Sequence, residues 1–196
     1  VPRRYASLDS PDYTSIIDHR AYERLVHTLD DARARGATVI PLLPGPAFDE
    51  AQHRIAPHIV VEAAPDSVVM QREIFGPTLP LVPYRNLDEV IARINAGPRP
   101  LAMYPFSNRS ERIEQLVERV MSGGVTVNDA LLHVGQEALP FGGVGESGMG
   151  HYHGEEGFQT FSKLRPIFRQ SRWSSLKLMT PPYGKLANWA LAFLTR

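Results

Sequence analysis

Between Asp18 and Arg35 the apolar positions Tyr22, Leu25, Val26 and Leu29 recur at i, i+3, i+4 and i+7. That spacing lines one face of a helix, and Gly36 stands where a helix C-terminus favours glycine. Three short β-rich runs follow, each bounded by Pro or Gly: Thr38–Leu43, Arg54–Ala63 and Thr78–Tyr84. Their prolines point to sheet edges, because proline cannot donate to a ladder. Asn86 is placed to cap a second helix carrying Leu87, Val90, Ile91 and Ile94, after which Leu101–Phe106 reads as a strand. Ser110 opens a third helix with Ile113, Leu116, Val117 and Val120 on one side, ended by Gly123 and Gly124, and Val125–Asn128 is the next strand. Strand, helix, strand, helix, strand predicts an α/β fold with a mostly parallel sheet. In such sheets chemistry gathers beyond the strand C-termini, where Asn128 and the loop after it fall.

Beyond that loop, Phe158–Gln170 reads as an extended arm and Thr180–Lys185 (TPPYGK) as a stiff turn before an apolar tail, Leu186–Leu194. The expected division is a catalytic part at 1–157 and an oligomerisation arm with tail at 158–196. The tail is far short of the roughly 20 residues that span a bilayer, so no transmembrane segment is expected; packing on a partner or core is.

Composition changes this picture in two places. The chain holds 21 Lys and Arg against 21 Asp and Glu, and their interspersion argues against the one-sided basic field that nucleic acid or anionic lipid would require. It also holds no cysteine, which removes disulfides, thiolate metal sites and a cysteine nucleophile from these 196 residues. No Gly-x-Ser-x-Gly elbow is present to suggest a serine nucleophile instead.

The most unusual stretch is PFGGVGESGMGHYHG, residues 140–154. Gly143, Gly145 and Gly148 spell G-x-G-x-x-G, but Pro140 precedes them, no helix is expected after them, and Lys163 stands where a dinucleotide fold needs an acid. A phosphate-binding Gly-Lys-Ser/Thr is absent. His151, His153, Glu155 and Glu156 could suggest a metal, yet a glycine-rich loop holds ligands poorly, and no metal site is expected. The glycines sit instead beside Phe141, Tyr152 and His153.

Taken with VMQREIFGPTLPLVPY (Val69–Tyr84) and SGGVTVND (Ser122–Asp129), this loop resembles the aldehyde dehydrogenase family. Asn128 to His133 and the GMGHYHG run narrow the resemblance to the class 3-like branch, which includes the coniferyl and fatty aldehyde enzymes. It covers nearly the whole chain, from about Pro11 to Lys185, although family members are more than twice this long. The resemblance implies the later half of the catalytic domain plus an arm that adds a strand to a partner subunit, with the catalytic cysteine and glutamate base lying upstream. It implies oxidation of an aldehyde to a carboxylate through a cysteine thioester, NAD or NADP as cofactor, a homodimeric parent and a cytoplasmic location. Glu73 would accept hydrogen bonds from the nicotinamide ribose and Phe75 would pack beside the nicotinamide. Phe141 would line the aldehyde tunnel, with Asn128, His133, Tyr152 and His153 as weaker candidates for that pocket. An inactive fragment, or an assembly module pairing with a complementary chain, is the alternative.

Overall fold

A computed structural model describes residues 1–173 and 181–195. The chain forms two compact units, Val1–Val90 and Ile91–Arg196.

The first unit is built around helix α1, His19–Ala34. Asp18 caps it, its Oδ1 accepting from the Ala21 amide at 2.7 Å, and Gly36 leaves it with φ 88°. The predicted face is the buried one: Tyr22, Leu25, Leu29 and Ala32 form the core with Ala37, Ile55, Val60 and Val69. Below it lies a three-stranded sheet in the order β1 (Thr38–Pro41), β4 (His58–Val61), β5 (Thr78–Leu81). The prolines mark edges as expected, since Pro41 and Pro80 lie on the two outer strands, β1 and β5.

The expected strand Arg54–Ala63 is divided in two. Arg54–Ile55 (β3) pairs antiparallel with Phe48–Asp49 (β2), and Pro57, which has no N–H, separates β3 from β4. A one-turn helix α2, Val68–Gln71, was not legible in the pattern. Its N-terminus is capped from a distance, the Val68 amide donating to Asp31 Oδ2 of α1 at 2.8 Å. Arg35 holds that carboxylate at 2.8 Å and keeps its pKa below the usual value.

In the second unit the βαβ order is as predicted. Strand β6 (Ala102–Met103) and β7 (Gly124–Val125) are parallel, with α4 (Ser110–Arg119) between them. Helix α3 (Leu87–Ala96) straddles the boundary of the two units, with the Asp88 amide bonded to Asn86 Oδ1 as the capping role requires. The pairings are mixed: β1 with β4 and β2 with β3 are antiparallel, β4 with β5 and β6 with β7 parallel. The mostly parallel sheet expected from the strand–helix alternation is therefore only half realised, because β1 is followed by the short β2–β3 hairpin and not by a crossover helix.

Two further expectations need correction. A helix does follow the glycine loop: α5, Gly154–Thr160, with Glu155 and Glu156 in its first turn, where carboxylates suit the helix dipole. Gln159 reaches back to Glu155 at 2.8 Å and Thr160 to the Glu156 carbonyl at 2.8 Å. This helix opens only after the loop has closed, so the literal dinucleotide fingerprint still lacks its context. Residues 158–160, expected to begin an extended arm, therefore lie in α5, and the irregular run is Lys163 to Gln170; residues 174–180, which include Thr180 of the TPPYGK turn, lie outside the described residues. The apolar tail is a helix, α6, Lys185–Leu194.

Candidate active site

In the first unit the segment Glu73-Ile74-Phe75-Gly76-Pro77 joins α2 to β5. Ile74 packs against the core, and its carbonyl accepts from Arg24 of α1 at 2.9 Å. Gly76 lies so close to α1 that a Cβ there would stand 2.5 Å from both Leu25 methyl carbons. Pro77 then passes its carbonyl to the His58 amide at 2.8 Å, which starts the parallel pairing. These anchors pin the flanks of Phe75, whose own backbone sits at φ 44°, a conformation costly for a bulky side chain. The ring gains no burial in return, being 78% exposed. Glu73 is exposed beside it, and both line an open depression of about 560 Å³ with Ile17, Ala21, Arg24 and Arg72.

In the second unit the glycine loop is closed by a two-residue bridge. Phe141 N donates to Tyr152 O at 2.8 Å and Tyr152 N to Phe141 O at 2.9 Å. Inside it, Gly142 faces the Gly150 carbonyl so closely that any Cβ would collide with backbone. The closure brings three of the expected pocket residues together: the Phe141 ring is 5.6 Å from Tyr152, edge to face, and 5.9 Å from His153, stacked. His133 joins them at 5.9 Å from Phe141, with Tyr104 on its other side at 6.0 Å.

His133 is buried, with Nδ1 2.8 Å from Thr126 Oγ1 and its ring pressed on Gly124, where a Cβ would lie 2.5 Å from Cδ2. Its Nε2 and His153 Nδ1 are buried without a hydrogen-bond partner. Asn128 is used differently. Its amide brackets one residue of the neighbouring loop, Oδ1 accepting from Ser107 N at 2.8 Å and Nδ2 donating to Ser107 O at 3.1 Å. Both ends are thus engaged by backbone, which fits a side chain that shapes the loop after β6.

Thr126, Tyr104, Arg24 and Ser107 carry no mark in the sequence as site residues. Arg24 faces α2 by helix periodicity alone, but nothing in the sequence couples it to a carbonyl 50 residues on. Thr126 and Tyr104 reach His133 through tertiary contact, which no local pattern records.

The family model of the aldehyde dehydrogenase family matches residues 6–167, and the chain belongs to that family. It is 49% identical over 178 residues to a probable coniferyl aldehyde dehydrogenase of Pseudomonas aeruginosa, covering 90% of this chain and 36% of that protein. It is 45% identical over 163 residues to a dimeric NADP-preferring aldehyde dehydrogenase of Mus musculus, covering 83% and 34% respectively. Among solved structures, a substrate-bound Staphylococcus aureus AldH superposes with a TM-score of 0.74 at 38% identity, covering 95% of this chain and 39% of the other. The chain thus spans little more than a third of the length of these curated relatives, and its α/β architecture is that of a part of an aldehyde dehydrogenase.

Proposed function

We propose that this chain is the cofactor-positioning and aldehyde-facing part of an NAD(P)-dependent aldehyde dehydrogenase that oxidises an aldehyde to a carboxylate through a cysteine thioester. The observation that carries the reading is Phe75. A bulky ring held in left-handed backbone by anchored neighbours, and left exposed, is strain kept at a surface that something else must cover. The residues present suit a nicotinamide nucleotide: Phe75 offers a flat apolar face, and Glu73 offers only acceptor oxygens, which match the two hydroxyls of a ribose. When bound, that cofactor accepts the hydride released from the aldehyde carbon. Glu73 fixes the ribose, and Phe75 limits rocking of the ring beside it.

On the aldehyde side, Phe141 forms a wall whose position is set by the Phe141–Tyr152 bridge and by the rings of His133 and His153. The glycines let the chain fold back on itself closely enough to present that wall. Asn128 supports the adjoining loop through Ser107. The nucleophilic cysteine and the glutamate base belong to sequence other than these 196 residues, which contain no cysteine. NAD or NADP as cofactor, a homodimeric parent and a cytoplasmic location belong to the same proposal; the dimeric NADP-preferring mouse relative and an NAD-dependent aldehyde dehydrogenase of Sinorhizobium meliloti support the cofactor, and the former a dimer.

The purified chain mixed with an aldehyde and NAD(P)+ tests the division of labour. No reduced cofactor should absorb, because no thiol is present to take up the carbonyl carbon. An enzyme joining this segment to a cysteine-bearing catalytic region should produce reduced cofactor only when aldehyde is added. Turnover by the chain alone would overturn the reading.

A further inference from the structure

Strand β7 ends at Val125, and Thr126 continues its path, the Thr126 amide donating to the Met103 carbonyl at 3.1 Å. The hydroxyl of Thr126 meets His133 twice. Its Oγ1 accepts from the His133 backbone N–H at 3.3 Å and lies 2.8 Å from His133 Nδ1. A backbone N–H can only donate, so that contact takes one lone pair of Oγ1, and the hydroxyl hydrogen has no acceptor other than Nδ1 among the described residues. The hydroxyl therefore donates to Nδ1, and the neutral ring carries its proton on Nε2. The opposite arrangement would leave the hydroxyl hydrogen as well as Nε2 without a partner, two polar groups unsatisfied in place of one.

The residue so held is only 8% exposed and is wedged among three neighbours. Gly124 makes room for it by having no side chain, since a Cβ there would stand 2.7 Å from Nε2. Tyr104 and Phe141 follow, with ring centroids 6.0 Å and 5.9 Å away. Nε2 has no hydrogen-bond partner. With Nδ1 already taken, the imidazole keeps no free lone pair with which to accept a proton from a substrate. Its shape and place are what it contributes.

We propose that Thr126 and His133 are positioning residues for the aldehyde wall: the Thr126 hydroxyl locks the tautomer and rotation of the His133 ring, and that ring holds the Phe141 ring where it meets bulky aldehydes. The proposal rests on the reading of Phe141 as a wall of the aldehyde path, and it moves His133 from lining that path to standing behind the wall. A ring flip would exchange Nδ1 with Cδ2 and present a different edge to Phe141, so the hydroxyl turns a two-position ring into a one-position ring. Because the Thr126 backbone is bonded to the end of β6, the wall takes its place from the sheet as well as from the glycine-rich loop.

The first test needs neither aldehyde nor cofactor. In the whole chain carrying isotope-labelled histidine, nitrogen magic-angle-spinning spectra of sedimented protein at neutral pH should show His133 as the Nε2–H tautomer with Nδ1 accepting a hydrogen bond. His133→Gln identifies the signal by its loss, and Thr126→Val should leave His133 as a mixture of tautomers. In an active enzyme carrying this segment, Thr126→Val should raise the KM for benzaldehyde roughly fivefold, with the KM for acetaldehyde and for NAD(P)+ unchanged, and Thr126→Ser, which keeps the hydroxyl, should restore it. A His133 proton on Nδ1 in the native chain would overturn the proposal whether or not the variant folds, because the lock would not exist. So would a Thr126→Val variant with the native tautomer or the native benzaldehyde KM, or one in which all of these constants rise together. If Phe141→Ala left the benzaldehyde KM unchanged as well, the wall reading itself would fall; if Phe141→Ala raised it and Thr126→Val did not, this proposal alone would.

Discussion

Gly76 and Phe141 show how single residues shape the candidate site residues of each unit. A methyl group on Gly76 has no free space, because both Leu25 methyl carbons stand 2.5 Å from where it would be. Gly76→Ala must therefore push Leu25 or the Phe75 segment aside, an overpacking that costs roughly 1–3 kcal/mol. A lowered urea midpoint should report it, and an unchanged midpoint would mean that α1 yields easily. Phe141→Ala removes a ring that lies within 6 Å of three others, while its backbone bridge to Tyr152 can persist. For a complete enzyme the expected effect is a KM for bulky aldehydes raised about tenfold, with the KM for NAD(P)+ unchanged. If both constants rose together, Phe141 would be holding the fold and not the substrate.

At the scale of elements, acid sensitivity should be concentrated in the first unit. His58 begins β4, is buried, and donates its Nδ1–H to the Ala56 carbonyl, 2.6 Å away. Burial pushes its pKa below the ordinary 6.5. The unfolded chain thus binds a proton that the folded chain refuses, so stability is full above about 6.5, falls as the pH drops below that value, and levels off once the pH lies below the lowered folded value. Asp31, whose carboxylate caps α2 and is held by Arg35, adds a second loss below its own unfolded value of 3.8. Urea midpoints at pH 7.5 and 5.5 should differ in the native sequence and converge in His58→Phe; an unchanged difference would move the effect elsewhere. The same elements show what the sequence can and cannot disclose. Helix α1 and the βαβ of the second unit were legible because their apolar residues recur with the helical period, although α4 leaves Ile113 and Leu116 half-buried and Val117 exposed where α1 buries its face. Helices α2 and α5 were not: one turn of α2 depends on Asp31 from another element, and α5 is held by Glu155 and Glu156 contacts within a glycine-rich stretch that shows no apolar period.

For the whole molecule, the exposed run with Leu164, Ile167 and Phe168, and the outer strand β5, leave apolar surface and an unpaired edge on the described chain. The purified chain should self-associate, and a single monomeric species in sedimentation over a hundredfold range of concentration, on the order of micromolar upward, would contradict this. Glu73, Phe75 and Phe141 could be singled out as candidates from sequence because they sit in short ordered motifs. The contacts that hold them, Arg24 to Ile74 and Thr126 to His133, were not, because they join elements distant in sequence.

The central claim is that Glu73 holds the nicotinamide in place for hydride transfer, and an isotope effect tests it most directly. Glu73→Gln in an active enzyme carrying this segment keeps the shape but replaces one acceptor oxygen by an NH2 donor, so one ribose hydroxyl loses its partner. A small misplacement of the ring costs on the order of 100-fold in rate. The account predicts a lower kcat, a larger effect of deuterium at the aldehyde carbon as hydride transfer becomes rate-limiting, and little change in aldehyde KM. A variant with the original kcat and no larger isotope effect would contradict it.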